Sequence, residues 1–198
     1  AARGVRGYWL TQVIPRAVRP QVFYNWHTMA RWVCEGQPYD MYFEQKAKVS
    51  VVEYMHMIEL KTSALLAGAV VIGATLGGAA ESDCRKLRRF ATELGLAFQL
   101  QDDLLDSYGD ERLGKAIGGD ILEGKKTYLM ITAMSHADES TREVLRRTYR
   151  DERLTNAEKI AAVKRIYDRL DVPHLTAPPI SPPCARARAG PRPPTAGP

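Results

Sequence analysis

Residues 98–106 of this 198-residue chain read FQLQDDLLD, which places three carboxylates at the end of an apolar run. On a helix, Gln99, Asp102 and Asp106 fall on one face, at positions i, i+3 and i+7. Asp103 lies on the adjacent edge of the same helix. Carboxylates one turn apart repel each other, and a helix C-terminus is already negative. A cation is therefore expected to neutralise this helix end.

Magnesium is the natural cation here, because it is bound in proteins by one or two carboxylates together with phosphate oxygens. Lys61 interrupts an otherwise apolar helix in IELKTSALL, where an unpaired ammonium is costly unless it faces a cavity or an anion. Lys115 and Lys125 lie in the Gly-rich stretch LGKAIGGDILEGKKT, where backbone can approach phosphate oxygens. Each lysine alone is explained as readily by structure, but together they predict a diphosphate site.

Two other kinds of site are not supported by the residues present. The stretch GDILEGK has the spacing of a P-loop, but Lys126 follows it in place of Ser or Thr, and no strand is predicted before it. The three cysteines and four histidines form no CxxC pair and no cluster, so neither a His/Cys metal site nor a disulfide framework is expected. This cysteine usage favours a reducing, cytoplasmic location.

The net charge of +5 is carried by the two ends of the chain. Residues 1–20 and the tail after Val172 contain seven arginines and no acid, and removing those seven charges leaves −2 for residues 21–171. A nucleic-acid partner would rest on those ends alone, and none is predicted.

Proline placement predicts an all-α protein. Nine of the twelve prolines lie from Pro173 onward and none lies between Pro38 and Pro173, while the interior has apolar residues at helical spacing. Helix starts are predicted at three capping residues, namely Ser50 (with Glu53), Ser82 and Thr155 (with Glu158). The predicted helices are 21–35, 51–80, 82 to just before 109, 127–136, 140–149 and 155–170. Residues 173–198 are predicted to be a disordered, Pro- and Arg-rich tail.

Residues 62–80 form 19 consecutive uncharged positions, close to the length that spans a bilayer. They are mostly Gly and Ala, with six Leu, Val or Ile side chains, so a buried core helix is the better interpretation and no transmembrane segment is predicted. The glycines are attributed to close packing by a neighbouring helix, because each would cost about 1 kcal/mol relative to alanine in an exposed helix.

The ordered motifs resemble those of the trans-isoprenyl diphosphate synthases, the farnesyl and geranylgeranyl diphosphate synthase family. FQLQDDLLD is similar to the second aspartate-rich motif of that family, FQxxDDxxD. CEGQPYDM at 34–41 resembles its GQ segment, LKTSALL at 60–66 its Lys-Thr motif, and LGKAIGGD with GKKTY the stretch that follows the aspartates. The resemblance covers roughly Thr11 to Thr176.

The resemblance implies an all-α, isoprenoid-synthase-type helical bundle around a central cavity, usually assembled as a homodimer. It implies that Mg²⁺ ionises an allylic diphosphate and that isopentenyl diphosphate then attacks the carbocation. Carried over by motif, the metal residues are Asp102, Asp103 and Asp106, and the catalytic residues are Lys61, Thr62 and Gln99. The substrate-binding residues are Gln37, Lys61, Phe98, Gln99, Lys115 and Lys125.

The chain also departs from the family pattern. A first aspartate-rich motif normally lies well upstream of the GQ segment, yet the 36 residues before Gln37 contain no DDxxD. The bundle is therefore expected to be incomplete, with an altered or truncated segment at 1–20, a synthase-like helical region at 21–172 and the tail at 173–198. Because one metal wall is missing, the free chain is expected to be inactive or nearly so.

Two alternatives stay open beside a prenyltransferase. The chain could instead be a non-catalytic subunit or fragment that pairs with a complete prenyl synthase. A class I terpene cyclase shares the helical bundle and the metal chemistry, but it lacks this Lys-Thr and Gly-Lys series. Product chain length and the preferred allylic substrate are not encoded in any feature recognised in the sequence.

Overall fold

A computed structural model describes residues 13–109 and 117–176, and every regular element in those two ranges is helical. The predicted all-α class is therefore confirmed. In chain order the helices are α1 (Arg19–Gln45), α2 (Val51–Ile58), a π-helical turn (Glu59–Ser63), α3 (Ala64–Leu76), α4 (Glu81–Tyr108), α5 (Gly119–Glu123), α6 (Tyr128–His136), α7 (Glu139–Arg150), α8 (Asn156–Arg169) and α9 (Val172–Thr176).

The first helix is longer than the sequence predicted. It continues past residue 35 and through Pro38 to Gln45, although an internal proline removes one backbone hydrogen bond. Burial at its C-terminal end offsets that cost, because Phe43 packs in a core cluster with Tyr54 and Met57. At the other end of the chain, α9 extends to Thr176, so the predicted start of the tail at 173 is too early, and residues 177–198 lie outside the described ranges.

The predicted helix at 51–80 is present but contains an irregular turn. Its regular α-helical hydrogen bonding is interrupted over Glu59–Ser63 by one π turn, and the helix ends at Leu76, before Gly78 at φ +77°. Such π turns occur mostly as single insertions and often at functional sites. This turn carries Lys61 and Thr62.

Two glycines on the neighbouring helices enclose the π turn. A Cβ on Gly36 of α1 would lie 2.6 Å from the backbone nitrogen of Lys61, and a Cβ on Gly95 of α4 would lie 2.6 Å from the Cα of Ser63. The close packing predicted for the glycines of 62–80 holds at Gly68, which contacts a side chain of α1. It does not hold at Gly73, where a Cβ would meet nothing within 4 Å.

Helix caps were predicted correctly at two of three positions. Ser50 and Thr155 each form a full capping box with the glutamate three residues later. Ser82 is not a cap: α4 begins one residue earlier, at Glu81, and its N-cap is Ala80 without a side-chain hydrogen bond. The helix ends at Tyr108 before Gly109, as predicted.

Replacing Ser50 with alanine should lower the free energy of unfolding by about 1 kcal/mol, because the backbone N–H of Glu53 loses its capping partner. Urea denaturation measures this value. Ser82→Ala is the matched control and should change it little, since Ser82 is exposed and caps nothing. Equal losses in the two variants would contradict this assignment of the helix starts.

Two clusters of the described core both involve side chains of α4. One surrounds Leu129, Leu145 and Val163, and the other surrounds Phe43, Tyr54 and Leu100. The second cluster lies beneath the polar cavity described below and fixes α1, α2 and α4 relative to one another.

Part of the outer surface of α3 and α4 is apolar. Leu65 and Leu76 on α3 are 54% and 46% exposed, and Phe98 on α4 is 63% exposed. By length and composition, the helical stretch Val51–Leu76 is the one among the described residues that could cross a membrane. The same stretch packs between α1 and α4, with Ile58, Ala67 and Val71 buried, as expected for a core helix.

Candidate functional site

A polar cavity of about 280 Å³ lies between α1, the end of α2, the π turn, α4 and the segment before α6. Its walls carry five carboxylates and three lysines, namely Asp40, Glu44, Asp102, Asp103, Asp120, Lys61, Lys125 and Lys126. The helices bring these charges together from positions up to 86 residues apart, between Asp40 and Lys126. A small cavity lined by both lysines and carboxylates is suited to a negatively charged ligand that binds together with a metal cation.

Asp106 does not line the cavity itself, but it contacts the segment after α4, whose Asp120 and Lys125 do. The Oδ2 of Asp106 accepts a hydrogen bond of 3.0 Å from the backbone N–H of Asp120, and Gly119 approaches Asp106 so closely that a Cβ would lie 3.2 Å from Oδ1. Burial raises the pKa of Asp106, and the charges of Asp120 and Asp102 raise it further. The carboxylates therefore crowd one another, as expected for groups that share a cation.

Lys125 pairs with two carboxylates of the same segment. Its Nζ lies 2.8 Å from Glu123 and 3.0 Å from Asp120. These hydrogen bonds, with Glu123 the stronger contributor, raise the pKa of Lys125 and keep it charged. Lys126 has a different role, because its Nζ donates to the backbone carbonyls of Phe43 at 2.6 Å and Glu44 at 2.9 Å, which attaches the segment to the end of α1.

Lys61 and Thr62 are the two predicted site residues that lie on the π turn. The Nζ of Lys61 forms a 2.6 Å ion pair with Asp40 of α1, and both side chains are about one-third exposed, at 37% and 32%. The hydroxyl of Thr62 donates to Oε1 of Gln99 at 2.9 Å. Thr62 of LKTSALL thus contacts Gln99 of FQLQDDLLD, as two motifs of one site should.

Asp103 is buried, with 3% of its surface exposed. Its Oδ2 accepts hydrogen bonds from the Tyr54 hydroxyl and from the backbone N–H of Tyr128 at 3.2 Å, and its Oδ1 accepts one from Nε2 of Gln99 at 3.1 Å. Burial raises the pKa of Asp103 to about 6, against the opposing effect of these hydrogen bonds. Asp103 is therefore in contact with α2, α4 and α6, whereas Asp102 is partly exposed at the cavity wall.

Replacing Tyr54 with phenylalanine should lower the free energy of unfolding by about 2 kcal/mol, because the buried carboxylate of Asp103 loses a hydrogen-bond donor. Thermal and urea denaturation at neutral pH measure the loss. Tyr24→Phe removes a hydroxyl from a tyrosine that is 71% exposed and should be neutral. A neutral Tyr54→Phe would show that the Asp103 carboxylate does not depend on this donor.

Two of the predicted site residues, Thr62 and Asp106, do not line the cavity themselves but contact Gln99 and Asp120, which do. Three others are not brought to it by the described ranges. Gln37 is exposed on α1 and Phe98 is exposed on α4, and neither lines the cavity. Lys115 lies outside the described residues. The assignments of all three to substrate binding stay predictions.

The donor set suits a metal held jointly with a ligand better than a metal held by protein alone. Among residues 13–109 and 117–176, no three His, Cys, Asp or Glu side chains group in a way that would hold an ion by themselves. Magnesium bound to a phosphorylated ligand needs only one or two carboxylates, because phosphate and water supply the remaining oxygens. Asp102, which lines the cavity, and Asp106, one helical turn further along α4, are the carboxylates predicted for this role.

Residues 6–169 match the family model described as polyprenyl synthetase. The chain belongs to the polyprenyl synthetase family. The prediction from the ordered motifs is thereby confirmed at the level of family.

The polyprenyl synthetase relatives have the same fold and are longer. A short chain isoprenyl diphosphate synthase of Methanothermobacter thermautotrophicus is 46% identical over 114 residues, which are 57% of this chain and 35% of the relative. A crystal structure of a geranylgeranyl pyrophosphate synthase superposes with a TM-score of 0.80 at 35% identity, over 87% of this chain and 54% of the other. A geranylgeranyl pyrophosphate synthase from Corynebacterium glutamicum, in complex with isoprenyl diphosphate and magnesium, has a TM-score of 0.75 at 28% identity, over 82% of this chain and 46% of the other. The chain thus spans about half of these solved structures and about a third of the first relative.

Sequence reasoning assigned no role to several polar residues that line this cavity, among them Asp40, Asp120 and Tyr54. Asp40 was inside the quoted GQ segment and Asp120 inside the quoted Gly-rich stretch, but neither was assigned a role. Tyr54 lies seven residues before Lys61, so helical spacing could have placed it on the same side as the Lys-Thr pair. Its partnership with Asp103, 49 positions away, has no signal in a single sequence.

Proposed function

We propose that the cavity is the allylic diphosphate and Mg²⁺ site of a trans-prenyl diphosphate synthase, an enzyme that condenses isopentenyl diphosphate with an allylic diphosphate. The observation that carries this proposal is that Asp102, Lys61 and Lys125 lie around one cavity of about 280 Å³. The ordered motifs and the relatives named as prenyl diphosphate synthases support the same reaction. A homodimer and a cytoplasmic location are part of the proposal.

The lysines and the aspartates of the site have different roles. Lys61 and Lys125 provide fixed positive charge for the diphosphate, together with Lys115, and Asp102 and Asp106 hold the metal. Mg²⁺, when bound, neutralises the negative charge that develops on the diphosphate leaving group. Gln99, held by Thr62, offers a carbonyl oxygen whose partial negative charge stabilises the allylic cation.

The reaction is tested by incubating the chain with isopentenyl diphosphate and geranyl diphosphate and identifying products by mass. Any lengthened prenyl diphosphate should require both Mg²⁺ and Asp102. Its amount should be small or nil for the chain alone, because the 198 residues contain no second DDxxD to face Asp102. Product that persists in EDTA or in Asp102→Ala would contradict the assigned site, and rapid turnover would contradict the expected inactivity.

A non-catalytic subunit that pairs with a complete prenyl synthase is the second candidate. It is favoured by the exposed apolar side chains Leu65 and Leu76 on α3 and Phe98 on α4, since exposed apolar surface is often used for interaction. Co-expression with a complete synthase decides this alternative. A stable complex whose formation is prevented by Phe98→Asp would support it, and separate elution of the two chains would dismiss it.

A further inference from the structure

The hydrogen bonds around Asp103 form a chain with a defined direction. An ionised carboxylate can only accept hydrogen bonds, whereas a glutamine side chain has one donating and one accepting end. Gln99 therefore directs Nε2 towards Asp103, at 3.1 Å, and its Oε1 accepts from the Thr62 hydroxyl at 2.9 Å. If the group at position 103 donated a hydrogen bond to Gln99, the amide would turn over and both ends would exchange places.

We propose that Asp103 is a positioning residue rather than a metal ligand: it sets the orientation of Gln99, so that a carbonyl oxygen and not an NH₂ group lies on the Thr62 side. This inference rests on the proposed function for its consequence, because oxygen stabilises a developing allylic cation and an NH₂ group opposes it. It assigns different roles to the two adjacent aspartates, with Asp102 serving the metal and Asp103 serving Gln99.

The surroundings of Asp103 support this division. Both of its oxygens already have donors on three different elements, from Tyr54 on α2, Gln99 on α4 and the Tyr128 backbone on α6. With 3% exposure and three of its roughly four acceptor positions occupied by donors, the carboxylate has little room left for a metal. Tyr54 is the second positioning residue, because its hydroxyl and the N–H of Tyr128 hold Oδ2 and so direct Oδ1 at Gln99.

Asp103→Asn tests the direction of the chain at almost unchanged side-chain volume. The two donors Tyr54 and Tyr128 require an acceptor, so the amide oxygen introduced by the substitution must face them. The NH₂ group of the introduced asparagine then faces Gln99. The Gln99 amide turns over in response and brings its own NH₂ group next to Thr62. In a NOESY spectrum of the ¹⁵N-labelled chain, the contact between the Gln99 NH₂ protons and the Thr62 methyl group should strengthen several-fold.

The wild-type spectrum is a test in itself, independent of how any variant folds. A strong contact between the Gln99 NH₂ protons and the Thr62 methyl group in the wild type would overturn the proposal.

Binding of inorganic pyrophosphate separates positioning from ligation. By calorimetry in the presence of Mg²⁺, Asp103→Asn should keep the wild-type affinity to within about threefold, whereas loss of a metal ligand should cost about 100-fold. An affinity loss for Asp103→Asn as large as that for Asp102→Asn would overturn the proposal. If the wild type binds no pyrophosphate, the proposed function fails, and the NOESY spectra still decide how Gln99 is oriented.

Discussion

Replacing Gly36 with alanine should lower the free energy of unfolding by about 3 kcal/mol, the upper end of what overpacking usually costs. The added Cβ would lie 2.6 Å from the backbone nitrogen and 2.9 Å from the Cα of Lys61. These are backbone atoms, so no side-chain rotation relieves the clash, and α1 must move away from the π turn. Because that turn carries Lys61 and Thr62, affinity for a diphosphate should fall together with stability.

Gly73→Ala is the matched control for this result. Gly73 also lies inside a helix, but a Cβ there meets nothing within 4 Å. The substitution should therefore raise the free energy of unfolding by up to about 1 kcal/mol, the ordinary helix-propensity difference between glycine and alanine. Urea denaturation of the two variants measures both values. Similar effects of the same sign would contradict the close packing of α1 on the π turn.

Replacing Asp102 with asparagine should weaken Mg²⁺-dependent pyrophosphate binding by at least about 100-fold. Asp102 lines the same cavity as Lys61 and Lys125, and a carboxylate there is suited to share a metal with a phosphate. An amide keeps the shape of the side chain but removes the charge that attracts the cation. Calorimetric titration with pyrophosphate, in Mg²⁺ and in EDTA, measures the change.

Asp83→Asn is the control for Asp102→Asn on the same helix. Asp83 is exposed in the first turn of α4, where it pairs with Lys86 at 2.9 Å. Its replacement removes one carboxylate from the chain without touching the cavity, so pyrophosphate affinity should not change. If the two variants lost affinity equally, the effect of Asp102 would be general electrostatics rather than metal binding.

The order of the short motifs predicted the fold and the main part of the site. Proline-free apolar spacing indicated helices, and the structure confirms them because such helices are stabilised by burying one face, a property visible in a single sequence. The motifs also pointed to Lys61, Lys125 and Asp102, and the fold brings all three to one cavity. Their roles in binding remain predictions.

The features that the sequence did not reveal depend on contacts between distant segments. Helix α1 continues through Pro38 because Phe43 is buried by residues of α2 and α6, and local propensity contains no information about that packing. Ser82 looked like a cap, but α4 starts at Glu81 after an extended Ala80. The π turn, likewise, is recognisable only once Gly36 and Gly95 are seen to pack against it.

The different surroundings of Asp102 and Asp103 also could not be predicted from the sequence. Both belong to one DDxxD motif, and the sequence offers no reason to treat them differently. In the fold, both line the cavity, but the 100° rotation between consecutive helical residues buries Asp103 against Tyr54 and leaves Asp102 partly exposed. A motif therefore predicts which residues meet, whereas their separate roles follow from their surroundings.

Calorimetric titration of the wild-type chain with geranyl diphosphate, in Mg²⁺ and in EDTA, tests the central claim most directly. It requires no turnover, so the expected inactivity of the chain does not affect it. The proposed site predicts saturable binding in Mg²⁺ that is lost in EDTA and in Asp102→Asn and is retained in Asp83→Asn. Absence of binding, or equal binding in EDTA, would contradict the assignment of this cavity to a metal-bound diphosphate.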